Sequence, residues 1–168
     1  METSLRYNKQ EKQLYIHAKE SFLIDSAFFL KAHGRLNTHT GASGGVAQLR
    51  RRFFPQLLSS LDVGAKYDID AKEFSYDIQA KKTMLLRENG LLSVDIKGGY
   101  NFNPGLKIGK PRGVVELNYK IFNFTEEQDV RLRVGYNPFQ RRPYLQIREN
   151  NWTFNADFGG NWSVVYDL

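Results

Sequence analysis

Lys19, Lys31, Arg35, Arg50, Arg52, Lys66, Lys81, Lys97, Lys120, Arg131, Arg133 and Arg148 share one setting: each occupies the polar position of a short segment in which polar and apolar residues alternate. An arginine fork holds a phosphate or carboxylate bidentately, and a lysine acts as a mobile point charge, so a face carrying both suits anions of varied shape. The acids in equivalent positions are about half as many: Asp62, Asp77, Asp95, Glu116 and Asp157, with Asp68 near a segment end. Over 168 residues, 24 Lys and Arg stand against 18 Asp and Glu, a formal net charge of +6. That excess points to an anionic partner, and nucleic acid, anionic lipid and phosphorylated metabolites are the candidates.

Other chemistry finds little support. There is no cysteine, which removes disulfides, thiolate metal sites and thiol nucleophiles. His17, His33 and His39 have no partner at metal-ligand spacing and no acid arranged for catalysis, although His17 and His33 can add charge to the polar face in mild acid. Gly105 to Lys110 ends like a phosphate-binding loop, but its glycines are one residue too close, Pro111 follows in place of Ser or Thr, and no helix is expected there. Gly41 to Gly45 reads as a flexible loop. Asn123-Phe124-Thr125, Asn151-Trp152-Thr153 and Asn161-Trp162-Ser163 match a glycosylation acceptor that matters only in the secretory pathway, and they read as turn and strand chemistry. No nucleophile has an activating context, so neither an enzyme nor a cofactor is expected.

The elements that carry the basic residues are strands. Val130, Leu132, Val134 and Tyr136 alternate with Arg131, Arg133 and Gly135, and the Leu92 to Tyr100 segment does the same. A period of two places successive side chains on opposite faces of a strand. The apolar face reads Leu14, Ile16, Ala18, Phe22; Phe28, Leu30, Ala32, Leu36; Ala47, Leu49, Phe53; Leu57, Leu61, Val63, Ala65, Tyr67; and Phe74, Tyr76, Ile78, Ala80. It continues through the Leu92 series, Val115 to Ile121, the Val130 series, Leu145 with Ile147, Trp152 to Phe158, and Trp162 to Leu168. With a short strand at Leu5 to Tyr7 the expectation is about twelve strands, between ten and twelve, in one unit spanning residues 1–168.

Such a sheet has two possible solutions. A soluble sandwich packs its apolar faces together, whereas a membrane barrel turns them to lipid and keeps the charges inside. No run approaches the length of a membrane-spanning helix, but that excludes only helical spans. The aromatic residues, 14% of the chain, crowd the ends of the last strands at Trp152, Phe154, Phe158, Trp162 and Tyr166, as in the interfacial girdles of membrane barrels. A long meander without Greek-key or helical punctuation closes most simply on itself. The reading is therefore an all-β, closed antiparallel up-and-down transmembrane barrel.

Asn150-Asn151, Gly159-Gly160-Asn161, Asp25-Ser26 and Pro55 supply turns. Longer loops are expected at Asn37 to Gly45, Met84 to Gly90, Phe102 to Pro111, Asn123 to Asp129 and Asn137 to Pro143, with the even-numbered connections the tighter. Glu20 and Arg51 fall on the apolar face of regular strands, where a midplane arginine costs ~2 to 4 kcal/mol. A bulge or strand end near each is expected, a bulge returning the charge to the wet face.

On these residues the chain resembles the plant plastid outer envelope pore protein family of small solute channels. The resemblance runs from Met1-Glu2-Thr3-Ser4-Leu5-Arg6-Tyr7 through Ile16-His17-Ala18-Lys19-Glu20 to Tyr166-Asp167-Leu168, and is most specific from Pro143 to Asp157, preceded by Asp129-Val130-Arg131. It implies a β-barrel in the plastid outer membrane with a rectifying, anion-selective pore for phosphate and phosphorylated carbohydrates such as triose phosphates and 3-phosphoglycerate, regulated by ATP. It also implies targeting without a cleavable presequence, in keeping with the start Met1-Glu2-Thr3-Ser4.

The expected site is thus a lumen whose anion- and nucleotide-binding residues are Lys19, Lys31, Arg35, Arg50, Arg52, Lys97, Lys120, Arg131, Arg133 and Arg148. Its partners are the lipid bilayer, phosphorylated small anions and ATP; a homo-oligomer is left open. The rival is a soluble basic β-domain binding nucleic acid, which needs aromatics interleaved with the basic residues on one face. Here they mostly occupy the opposite face, so no nucleic acid is expected. A lipocalin-like carrier would need its apolar face to line a cavity.

Overall fold

A computed structural model describes residues 1–56, 58–123 and 128–168, the side chains of 54–56, 122, 123 and 128 excepted. Leu57 of the apolar series and Phe124 and Thr125 of the first glycosylation-type match lie outside these residues. The alternating segments form twelve strands: β1 (Glu2–Asn8), β2 (Gln13–Leu23), β3 (Phe28–Asn37), β4 (Ser43–Gln56), β5 (Ser59–Asp68), β6 (Glu73–Leu85), β7 (Leu92–Asn103), β8 (Ile108–Asn123), β9 (Gln128–Asn137), β10 (Arg142–Glu149), β11 (Trp152–Asp157) and β12 (Trp162–Asp167). Each pairs antiparallel with its neighbours in sequence, and β1 closes on β12 through Leu5↔Tyr166 and Tyr7↔Val164. Twelve strands at the usual spacing and tilt give a barrel about 24 Å across at the backbone.

Closure settles the choice of faces. Among the described residues no apolar side chain is buried, while Ser4, Asn37, Asp62, Asp77, Ser93, Asp95, Glu116 and Thr153 are. The apolar series stands outward, with Leu49, Ile78, Ile96, Leu117 and Val134 all exposed. A molecule whose buried groups are polar and whose outer wall is apolar is built for a hydrocarbon solvent. Outward aromatics gather toward both ends. Tyr7, Tyr67, Phe74, Tyr100, Phe102, Tyr136 and Trp162 lie toward one rim, and Phe22, Phe28, Phe53, Trp152 and Tyr166 toward the other. The Trp152 and Tyr166 rings lie 4.6 Å apart, and those of Tyr7 and Trp162 5.7 Å apart.

The six odd-numbered connections share a rim and a design. Asn8, Asn37, Asp68, Asn103, Asn137 and Asp157 each end a strand and turn a side-chain oxygen back to accept backbone N–H groups of the turn, as from His39 and Thr40 onto Asn37. The chain then turns through a residue at positive φ, which is Lys12, Lys72, Lys107 or Arg141 in four of them, at +51° to +53°. These connections are four residues long, or five after β3, and those of the other rim run from two to six. The expected division into tight and long rims is therefore absent, because the strands extend into the expected loops. Pro111, expected in a loop, lies in β8 opposite Tyr100. Pairing of β8 with β9 stops at Val115↔Tyr136, so residues 108–114 have a ladder partner on one side only, where proline is tolerated. Pro55, expected in a turn, lies within β4 at the register shift between Phe53 and Gln56.

Glu20 and Arg51 correct a second expectation. A strand end and a register shift do lie near Arg51, which pairs with Phe28, the first residue of β3, and precedes the shift between Phe53 and Gln56. Neither returns it to the wet face, and β2 and β3 pair in unbroken register through Glu20↔Ala32. Both side chains therefore stay on the outer face. Glu20 lies 3.3 Å from the N-terminal ammonium. Arg51 stacks on two phenylalanines, its guanidinium carbon 5.1 Å from the Phe28 ring centre and 4.8 Å from that of Phe53.

Candidate pore lining

Pairing fixes which side chains face inward, since residues opposite one another across a ladder share a face. All ten residues of the expected site do so, as their partners show: His17↔Arg35, Lys31↔Gln48, Arg52↔Asp62, Lys97↔Lys81 and Lys120↔Arg131. Counted around the barrel, sixteen Lys and Arg and ten Asp and Glu face inward; Glu20, Arg51, Lys82 and Glu149 face outward; the described connections hold six cations and four acids. The outer wall sums to zero. The lumen face therefore carries a net charge of +6.

Most of these cations lie against acids. Asp77, 2% exposed, takes Arg50 at 2.8 Å on one oxygen and Arg112 on the other. Asp62 takes Arg52 bidentately at 2.8 and 3.0 Å. Glu116 takes Lys97 at 2.5 Å and the Tyr144 hydroxyl, with Arg133 at 3.7 Å, and Asp95 takes Lys81 at 3.3 Å and the Thr83 hydroxyl at 2.7 Å. Toward the rims Lys19 pairs with Glu2 at 3.0 Å, Arg35 with Asp70 at 3.4 Å, Arg131 with Asp129 at 2.5 Å and Arg148 with Asp167 at 3.1 Å. Among the described residues Lys31 and Lys120 have no carboxylate within ion-pair distance, although Lys31 lies 5.1 Å from the centre of the Phe29 ring.

The long side chains lie along the wall because glycines leave room for them. A Cβ at Gly64 would lie 2.7 Å from the Arg50 Cγ and 2.4 Å from the Leu49 carbonyl oxygen. At Gly135 it would lie 2.3 Å from the Tyr144 Cζ, so that ring lies flat over the glycine on its way to Glu116. The lumen holds two polar chambers. One, about 490 Å³, is lined by Lys31, Arg50, Arg52, Asp62, Lys81, Lys97 and Arg112; the other, about 520 Å³, by Lys81, Asp95, Lys120, Arg131, Arg133 and Arg148. Eight of the ten expected residues line these chambers. Arg35 lines a separate 310 Å³ recess with Arg6, Tyr15 and His17, and Lys19 lies apart from all three.

Sequence reading missed Arg6, Lys110, Arg112 and Arg142 on this face. Arg112 was hidden because the glycines and prolines around it mimic a loop, although its alternation with Gly113 and Val115 was available. The His17 Nδ1 and His33 Nε2 lie 2.8 Å apart on adjacent strands, a pairing that sequence spacing did not suggest. The Gly105 to Lys110 segment forms a turn and the start of β8, with no helix following.

A closed barrel with a lipid-facing apolar wall and a water-accessible charged interior is a porin-type channel. A family model described as the chloroplast outer envelope pore protein OEP21 matches residues 3–168. The outer envelope pore protein 21 of Pisum sativum is 46% identical, outer envelope pore protein 21A of Arabidopsis thaliana 39%, and the Oryza sativa subsp. indica relative 38%, each alignment covering both chains in full. The chain belongs to the chloroplast outer envelope pore protein 21 family, whose members are pores of that membrane and not enzymes.

Proposed function

We propose that the pore passes anions, in particular phosphate and phosphorylated carbohydrates such as triose phosphates and 3-phosphoglycerate, that it rectifies, and that ATP regulates it by occupying the same lumen charges. The observation that carries this reading is the net charge of +6 on the inward face. A charged cleft with low-dielectric walls concentrates counter-ions, and here every arriving anion meets that surplus over a path of several strand residues. The interspersed carboxylates prevent a trap: an anion at Arg50 or Lys97 competes with Asp77 or Glu116 already in place, so it binds weakly enough to leave. Among the described residues Lys31 and Lys120, one in each chamber, have no carboxylate within ion-pair distance, so a solute meets them without displacing an acid.

ATP, bulkier and more highly charged than a triose phosphate, fills a chamber, neutralises it and blocks passage. In planar bilayers under a KCl gradient, the reversal potential should show anion preference. ATP should reduce the current, 3-phosphoglycerate should relieve the block, and both effects should weaken as salt shortens the ~8 Å Debye length of physiological ionic strength. A reversal potential of cation sign removes the reading. An ATP block indifferent to both 3-phosphoglycerate and salt places the nucleotide outside the lumen.

A further inference from the structure

We propose that the outer wall carries a site for the phosphate of an anionic phospholipid, built by Arg51 between Phe28 and Phe53. Arg51 faces outward on both of its ladders, opposite Phe28 on β3 and Val63 on β5. Phe28 is the first residue of β3, so Arg51 lies level with the end of that strand, within the aromatic girdle and away from the middle of the apolar band. There the wall meets phospholipid headgroups.

The two rings hold the guanidinium by its π-face, at 5.1 and 4.8 Å. Cation–π contacts engage the face and leave the in-plane N–H fork available for hydrogen bonds. Among the described residues no carboxylate lies within ion-pair distance of Arg51, and the outward acid Glu20 is engaged by the N-terminal ammonium. An arginine held at the apolar wall with its fork unpaired needs an anion, and a lipid phosphate is the anion that this position supplies. A free phosphate would have to leave water to reach the same fork, so the occupant is the bilayer's own lipid.

The test is lipid retention by the purified barrel in mild detergent, read by native mass spectrometry. Phosphatidylglycerol is compared with a galactosyl diacylglycerol of the same acyl chains, with folding checked by the gel mobility of the unheated protein. The wild type should retain the phospholipid over the galactolipid. Arg51→Gln should lower that retention about tenfold, the scale of a lost charge-assisted hydrogen bond. Arg51→Lys, which keeps the charge but loses the fork and the flat face, should fall between them. The double variant Phe28→Leu, Phe53→Leu supplies a second measurement should Arg51→Gln fail to fold, and it should also lose lipid. Single-channel conductance should be unchanged in all variants, since Arg51 is outside the lumen. Equal retention by wild type and Arg51→Gln overturns the site, as does equal retention of the two lipids. Displacement of the lipid by millimolar inorganic phosphate overturns its assignment to the bilayer.

Discussion

Single charges in this lumen act through their neighbours. Arg131 and Arg133 lie on β9, beside Asp129 and between Glu116 and Asn118 respectively, with the Arg133 Nε donating to the Asn118 side-chain Oδ1 at 2.7 Å. Replacing both by glutamine removes two of the six surplus charges and frees Asp129. The anion-over-cation permeability ratio should fall by a factor of roughly two, while the lipid-facing residues of β9 keep the barrel intact. Reversal potentials measure it, and an unchanged ratio would move the filter to the Arg50 and Arg112 chamber. Asp77 sets the opposite case. Its carboxylate is almost fully buried beneath two arginines, so Asp77→Ala should cost more stability than removal of an exposed acid such as Glu11, because it leaves two guanidiniums confined without a counter-charge. Urea unfolding in detergent compares them.

At the scale of elements, the hairpins fix what the strands can present. The Asn137 side-chain Oδ1 accepts from Phe139 N–H at 3.0 Å and Gln140 N–H at 3.1 Å, and Asn137→Ala leaves both to water. The expected cost is about 1 kcal/mol, read as a shift in the urea midpoint without loss of β-structure. Gly135 shows how a strand leaves room in the pore. In Gly135→Val the Tyr144 ring can no longer lie flat; it should leave Glu116, stand into the lumen and lower single-channel conductance. An unchanged conductance would show that the ring finds another place along the wall. The strand faces were legible in sequence because each is written locally, residue by residue. The extent of β7 and β8 was not, since Pro104, Gly105, Gly109 and Pro111 resemble a loop until one-sided pairing of β8 accommodates them.

Across the whole molecule the two rims differ in sign. Among the described residues the odd-numbered connections carry Lys9, Lys12, Lys72, Lys107 and Arg141 against Glu11 and Asp70; the even-numbered carry Arg87 against Asp25 and Glu88. Their described connections thus sum to +3 at one rim and −1 at the other. An anion approaching from the basic side is concentrated before it reaches the lumen, and one approaching from the acidic side is repelled. Neutralising Lys12, Lys72, Lys107 and Arg141 together should therefore reduce the ratio of currents at opposite voltages. A ratio that survives in the quadruple variant would locate rectification within the lumen.

By itself the sequence determined a count of about twelve strands, the two faces of most of them and the surplus of positive charge on the polar one, because a period of two is a local property of the chain. It also carried the family, in the resemblance that the relatives bear out. Only the tertiary structure decided that β1 meets β12, which turns a polar face into a lumen and an apolar face into a wall. Only register decided that Asp77 joins Arg50 to Arg112, that eight of ten expected cations gather in two chambers, and that Arg51 stays outside. Those facts depend on how far each strand slides against partners distant in sequence, and alternation reads the same for every slide of two residues.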